Sequence, residues 1–317
     1  MRNVTAPVPA GPSSLAAFGP GKVILLGEHS VVFGYPALAG PLSLGVSARG
    51  APAKQTKLVV SKELKGPGRK QLLSAFARAA QACDNPGVRV TLESTLPMSV
   101  GLGSSAAVSV AVSRLLLQAA GAAPSPDEVV KLALEMESEF HGTPSGVDHT
   151  CSARNELILY RRKPGTPLGK ARAVASPKPL QVLVALAGER SPTKKTVGAL
   201  RERQARWPTR YKRLFAEIGR TAVEGAQAVE AGDLEALGDA MNVNQGLLAA
   251  LQLSSPRIDE MVHRLRSLGA YGAKLTGAGG DGGAVIAVFP DPEPLVPRLT
   301  ALGIRCFASQ IAGPQGP

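Results

Sequence analysis

The chain has 317 residues, enough for two domains, and its 44% hydrophobic and 19% charged content is that of a soluble enzyme rather than a disordered or membrane-spanning chain. Three widely spaced cysteines, Cys83, Cys151 and Cys306, argue against a disulfide framework and a zinc site, and suit a reducing cytoplasm. The formal net charge is +12, concentrated at 54–70, 161–178 and 190–213; with aromatics at 4% and stacking platforms scarce, it reads as a solvated basic surface that attracts small anions, not as a nucleic-acid track.

Residues 1–14 are rich in Pro, Ala and Gly and read as a frayed leader, lacking the apolar segment of a signal peptide or membrane span. No later apolar run is long enough to cross a bilayer. Residues 22–26 form a short apolar run ending at Gly27, a buried strand, and 88–92 alternate as a second strand. Residues 106–120 are apolar almost all round, which predicts a buried helix stopped at Gly121. Ser125-Pro126-Asp127-Glu128 is a capping box with proline at the first helical position, so a helix starts there. It should run to about Phe140 and break at Gly142-Thr143-Pro144. Residues 156–160 suggest a strand.

The basic, Pro- and Gly-rich stretch 161–179 marks a domain boundary. A fresh apolar strand at 180–187 opens the second half. Helices follow at 210–231 and 234–251, parted by Gly232-Asp233, then at 257–268, ending at Gly269. Strands at 283–289 and 304–310 close the chain. Strands and helices mix without regular βαβ alternation, which predicts an α+β fold, with domains at 15–179 and 180–317 after the leader.

Three segments carry chemistry. Gly101-Leu102-Gly103-Ser104-Ser105-Ala106 combines glycines, two hydroxyls and an immediate helix start; free N–H groups at that end attract phosphate, and a hydroxyl can reach a phosphate-bound magnesium ion. Gly277-Ala278-Gly279-Gly280-Asp281-Gly282-Gly283 contains GxGxxG, but a strand follows it where a dinucleotide fingerprint needs a helix. A flexible loop closing over phosphates fits better. On the helix after Pro126, Val130, Leu134, Glu137 and His141 share one stripe, while Glu128, Lys131, Glu135 and Glu139 lie on a charged side. Glu137 is therefore the acid that faces protein, where a buried carboxylate needs a partner, either a metal ion or a nearby cation. The Gly- and Pro-rich run 141–147 predicts an irregular loop delivering Asp148, a candidate general base for a hydroxyl or simply a turn-forming residue. HExxH and GxSxG are absent, so zinc protease and serine hydrolase chemistry have little support.

Together PGKVILLGEHSVVFG at 20–34, the GLGSSAA at 101–107, HGTPSGVD at 141–148 and KLTGAG at 274–279 resemble the GHMP kinase superfamily, most closely its mevalonate kinase family. Softer likenesses lie at 191–197 and at Asn244-Gln245-Gly246-Leu247-Leu248. The resemblance spans about residues 18–312. It implies a two-domain α+β fold, with an N-terminal domain like ribosomal protein S5 domain 2 and a ferredoxin-like C-terminal domain. It also implies ATP as co-substrate, Mg²⁺ as cofactor, mevalonate as acceptor, and leaves room for a homodimer. Asp148 would be the base and Lys22 its catalytic partner. Ser105 and Glu137 would hold Mg²⁺, with Ser104 on phosphate. The backbones of Gly101, Leu102, Gly103 and Ala106, and of Gly277, Ala278, Gly279 and Gly280, would bind the nucleotide. Glu28, His29 and Thr193 would order the acceptor. The chain departs from the pattern at Ser99-Val100 and at Asp281, where glycine is more usual.

Overall fold

The computed structural model describes residues 15–60, 66–97, 100–141, 145–163, 165–166, 168–188 and 193–312. The expected leader, the Gly142-Thr143-Pro144 break and Ser99 lie outside them, as do the side chains of His141 and Thr193.

The first sheet is built on two long antiparallel strands, β1 (Leu15–Leu26) and β2 (Pro36–Pro52). The apolar run at 22–26 is thus only the end of a 12-residue strand. The far edge of β2 takes β4 (Val88–Ser94) at one end and β5 (Ile158–Arg162) at the other. β3 (Lys57–Val59) runs parallel to β4, and β6 (Gly169–Ala173) pairs with β5. Strand β6 falls inside the Pro/Gly stretch read as a boundary. Its register against β5 draws that segment into the first sheet.

Helices α1 (Gly66–Ala82), α2 (Ser104–Ala119), α3 (Pro126–His141) and α4 (Val147–Arg154) accompany this sheet. Helix α2 buries Ala107, Ala111, Val112, Leu115 and Leu116 in the core it shares with β1 and its neighbours, while Val110 packs with Val129, Val130, Ala133 and Ala153 of α3 and α4. The approach is so close that a Cβ at Gly19 would lie 2.0 Å from the Ala107 carbonyl oxygen. The capping box forms as its residues require: Ser125 N and Oγ donate to Glu128 at 2.8 and 2.7 Å, and Glu128 N donates back to Ser125 Oγ at 3.3 Å.

The second sheet has the order β10-β7-β9-β8, all antiparallel: β7 (Leu180–Leu186), β8 (Gly272–Thr276), β9 (Ala284–Val288) and β10 (Cys306–Ala312). That order is the ferredoxin-like arrangement. Between β7 and β8 run α5 (Thr193–Arg206), α6 (Pro208–Ala231), α7 (Leu234–Ala250) and α8 (Pro256–Ser267), and α9 (Leu295–Ala301) precedes β10. Gly232, left-handed at φ +71°, ends α6, and Asp233 caps α7 by accepting from Ala236 N at 2.9 Å. The two sheets meet where Ser43 N donates to Ser309 Oγ at 2.9 Å and where Thr276 Oγ1 joins the main chain of Ile24. Among the described residues no helix is long and apolar enough to cross a membrane.

Candidate active site

Strand β1 is buried along its second half and carries Lys22 in that buried stretch. A lysine so placed keeps its charge only if its ammonium reaches a partner. Lys22 Nζ lies 3.2 Å from Asp148 Oδ1 and 3.5 Å from the Gly101 carbonyl oxygen. The Lys22 side chain is 3% exposed and that of Asp148 35%, so the pair sits where core meets solvent. Asp148 does not hang in a loop as the glycines and proline before it suggested. Gly146, at φ +92°, launches α4, and Asp148 occupies its first turn. A helical backbone fixes the carboxylate more firmly than a loop would.

The main chain of Lys22 also holds the first glycine loop, its N–H donating to the Leu102 carbonyl oxygen at 2.9 Å. Gly103 (φ +75°) then turns into α2, and no side chain caps the helix, so the N–H groups of Ser104, Ser105 and Ala106 head an uncapped N-terminus beside Lys22. A Cβ on Gly103 would stand 2.8 Å from Lys22 Cγ.

From α3, Glu137 reaches the same place. It is 2% exposed; its carboxylate accepts from Ser109 Oγ at 3.0 Å, and Ser105 Oγ lies 3.4 Å away. Burial, then the nearby Asp148 charge, push the Glu137 carboxyl up to about 7. An oxygen-only donor set around a carboxylate that burial makes proton-hungry fits a hard divalent cation. Among the described residues no three acidic, His or Cys side chains form a metal cage. Magnesium needs none, since it takes one or two carboxylates and completes its shell with phosphate and water.

The second glycine loop joins β8 to β9 and is tied to Leu253, between α7 and α8. Gly280 N donates to the Leu253 carbonyl oxygen at 2.9 Å, and a Cβ on Gly279 would lie 2.2 Å from that same oxygen. A Cβ on Gly277 (φ +87°) would lie 3.2 Å from the Gly101 carbonyl oxygen, so the two glycine loops touch. Gly277 therefore adjoins Gly101 across a sequence distance of some 176 residues, counted from 101 to 277.

Glu28, expected to help order the acceptor and its neighbours, faces the protein interior. Glu28 is fully buried, forms an ion pair with Lys274, and accepts from Asn244 Nδ2 at 3.1 Å. Burial pushes Glu28 up and Lys274 down; the attraction between them opposes both shifts. The partly exposed His29 has its Nε2 3.0 Å from the Ala278 carbonyl oxygen, and burial, chiefly, lowers its pKa to about 4. It ties the first motif to the second glycine loop. Thr193 is the first residue of α5, and its side chain lies outside the described residues.

Sequence reasoning passed over Lys274 and Asn244 as side chains, although a lysine between Ala273 and Leu275 in an otherwise apolar strand was a signal. It also passed over His149, fully buried, with neither ring nitrogen hydrogen-bonded among the described residues, and lowered by burial to about 4. At the α5–α6 corner the Arg206 and Arg210 guanidiniums lie 4.6 and 5.8 Å from the Trp207 ring centroid. One ring stacked by its own neighbours is no platform for successive bases.

Residues 70–156 match the family model described as GHMP kinases N terminal domain, and residues 226–302 match GHMP kinases C terminal. The mevalonate kinase of Pyrococcus furiosus is 32% identical over 91% of this chain and 92% of its own length. The chain belongs to the mevalonate kinase family of GHMP kinases. The mevalonate kinase of Aeropyrum pernix is 33% identical over 87% of this chain and 89% of its own length. Among solved structures, L. major mevalonate kinase in complex with R-mevalonate superposes with a TM-score of 0.81 at 27% identity, covering 95% of this chain and 97% of that one. The two-domain α+β GHMP kinase fold expected from the sequence is therefore the fold present.

Proposed function

We propose that the protein transfers the γ-phosphoryl group of ATP to the 5-hydroxyl of (R)-mevalonate. The observation that carries this reading is the Lys22–Asp148 pair, 3.2 Å apart, at the junction of two touching glycine loops and an uncapped helix N-terminus. Asp148, one-third exposed, accepts the hydroxyl proton as the oxygen attacks phosphorus; the new O–P bond forms as the bond to ADP breaks. Lys22 stands beside the developing alkoxide and offsets its charge. The N–H groups of Ser104, Ser105 and Ala106 and the backbones of Gly101–Gly103 and 277–279 serve the phosphates, with the Ser104 hydroxyl beside them, while Gly280, its N–H given to the Leu253 carbonyl, holds the loop in place. Ser105 and Glu137 would hold Mg²⁺, which neutralises phosphate charge during transfer. Most of the rate comes from positioning and charge, since the protein does no covalent chemistry.

Thr193, heading α5, remains the acceptor-side contact in this reading, while Glu28 and His29 act through the loops they hold. Three free thiols suit a reducing compartment such as the cytoplasm.

A coupled assay of ADP release, run with a panel of acceptors, tests the reading. Release should depend on (R)-mevalonate and be near background with galactose, homoserine or phosphomevalonate. Turnover on a sugar without turnover on mevalonate would move the chain to another GHMP kinase activity.

A further inference from the structure

A lysine and a glutamate, both wholly removed from solvent, bridge the two sheets a few residues from the reacting groups, and neither takes part in the transfer step itself. Lys274 lies on β8, which forms one edge of the second sheet. An edge strand has unpaired N–H and C=O groups to satisfy. Side chains of α7 satisfy several of them here, and Arg266 of α8 donates to the Ala273 carbonyl at 3.0 Å. Ala273 N donates to Asn242 Oδ1 at 3.2 Å, Asn242 Nδ2 donates to the Tyr271 carbonyl at 3.0 Å, and Leu275 N donates to Gln245 Oε1 at 2.9 Å. Gln245 is itself held by Ser254 at 3.0 Å. Helix α7 therefore fixes where β8 runs, and so where the loop after it begins.

The same helix sets the buried pair. Thr221 Oγ1 lies 3.3 Å from Asn244 Oδ1, which turns the amide so that Nδ2 donates to Glu28 at 3.1 Å. Lys274 Nζ donates to the same carboxylate. Glu28 follows β1 after a single glycine, Gly27, and β1 carries Lys22. Thr276 Oγ1 accepts from Ile24 N at 2.9 Å and donates to the Ile24 carbonyl at 3.0 Å, so β1 and β8 are tied at a second point. His29 supplies a third, through Ala278. Its backbone, at φ 61° and ψ −42°, is one a non-glycine residue adopts only when its surroundings hold it there.

We propose that Lys274, locked to a Glu28 carboxylate that Asn244 orients, is a positioning residue: it sets the 277–280 loop against the strand that carries Lys22, and so sets the phosphate cradle against the catalytic pair. This rests on the kinase reading above. Neither Glu28 nor Lys274 reaches solvent, so neither can touch ATP or acceptor, and any effect on turnover passes through the loop.

The test compares Lys274→Met, Glu28→Gln and the double variant Glu28→Gln/Lys274→Met. Each single variant leaves one uncompensated group in the core and should lose thermal stability. The double variant removes both charges and should recover most of that stability. A purely structural pair would then recover activity as well. A positioning pair would not: kcat with mevalonate and ATP should remain about 10²-fold low, with acceptor KM within about threefold of wild type. Amide exchange over 277–283, measured without ligands, should be faster than in wild type. Because that exchange needs no substrate, it judges the lock even if wild type fails to turn over mevalonate, an outcome that would count against the kinase reading alone. Should the double variant fail to fold, Asn244→Ala, which leaves the ion pair in place, should lower kcat about tenfold with acceptor KM little changed and speed amide exchange over 277–283, while the loss of its buried hydrogen bonds to Thr221 and Glu28 lowers the thermal midpoint. The proposal is overturned if the double variant regains wild-type kcat, if Glu28→Gln raises acceptor KM alone, if loop exchange is unchanged, or if Asn244→Ala is kinetically silent.

Discussion

Replacing Glu137 by glutamine separates the cost of a buried charge from the work that charge does. Without ligands, burial and then the charge of Asp148 raise the Glu137 carboxyl from 4.5 to about 7. The folded protein thus holds a proton that the unfolded chain has already released between those values. This group's contribution to stability falls as pH rises through that window and levels off above it. At about 1.4 kcal/mol per pH unit, the displacement amounts to about 3 kcal/mol at pH 8. Two other groups act in the opposite sense. His29 and His149, lowered by burial from 6.5 to about 4, are kept neutral by the fold, so stability rises with pH across that range. Both remain in the variant, so the difference between wild type and Glu137→Gln isolates Glu137. Thermal unfolding should show the two proteins close together at pH 5 and the variant higher at pH 8, by ~2–4 °C per kcal/mol. Adding MgCl₂ with ADP should raise the wild-type midpoint more than that of the variant, and the variant should need more magnesium for turnover. A wild type at least as stable as the variant at pH 8, or an equal magnesium effect on both, would refute the reasoning.

Other consequences are as direct. Asp148→Asn should lower kcat by about 10²-fold or more while ATP binding, followed by titration calorimetry, persists; near-normal turnover would remove Asp148 as the base. Gly103→Ala places a methyl group 2.8 Å from Lys22 Cγ at a backbone φ of +75°, so kcat should fall about tenfold or more; unchanged kinetics would show that the loop does not bear on Lys22. His149→Leu removes two buried nitrogens that have no hydrogen-bond partner among the described residues and a group whose neutrality destabilises the fold in acid. Its stability gain over wild type should exceed the gain at pH 7.5 by about 2 kcal/mol at pH 5, and equal differences at both pH values would contradict the assignment.

What the sequence made legible was local. The Ser125–Glu128 box and the Gly232-Asp233 break are complete within four residues, and both formed as expected. The chemistry of 101–106 was readable because glycines, hydroxyls and a helix start coincide in one short run. Helix α1 was missed because its sequence, GPGRKQLLSAFARAAQA, opens on two glycines and a proline that read as loop. Strand β6 was missed because its stability comes from pairing with β5 and not from its own Gly-Lys-Ala-Arg-Ala composition. Asp148 lies beside Lys22, as the family resemblance implied, yet its helix was hidden by the glycines that launch it. Glu28 shows the limit most clearly. Its partner stands 246 positions away, and no pattern near Glu28 distinguishes an acid facing a substrate from one facing a buried lysine.

The central claim, a phosphoryl group placed on the primary hydroxyl of mevalonate, is tested most directly by phosphorus NMR of the reaction with ATP, MgCl₂ and (R)-mevalonate. The account predicts one new phosphomonoester resonance, split into a triplet by the two protons on carbon 5, growing in step with ADP. A singlet, which marks phosphate on the tertiary carbon-3 hydroxyl, or no new ester while ATP is consumed, would contradict it.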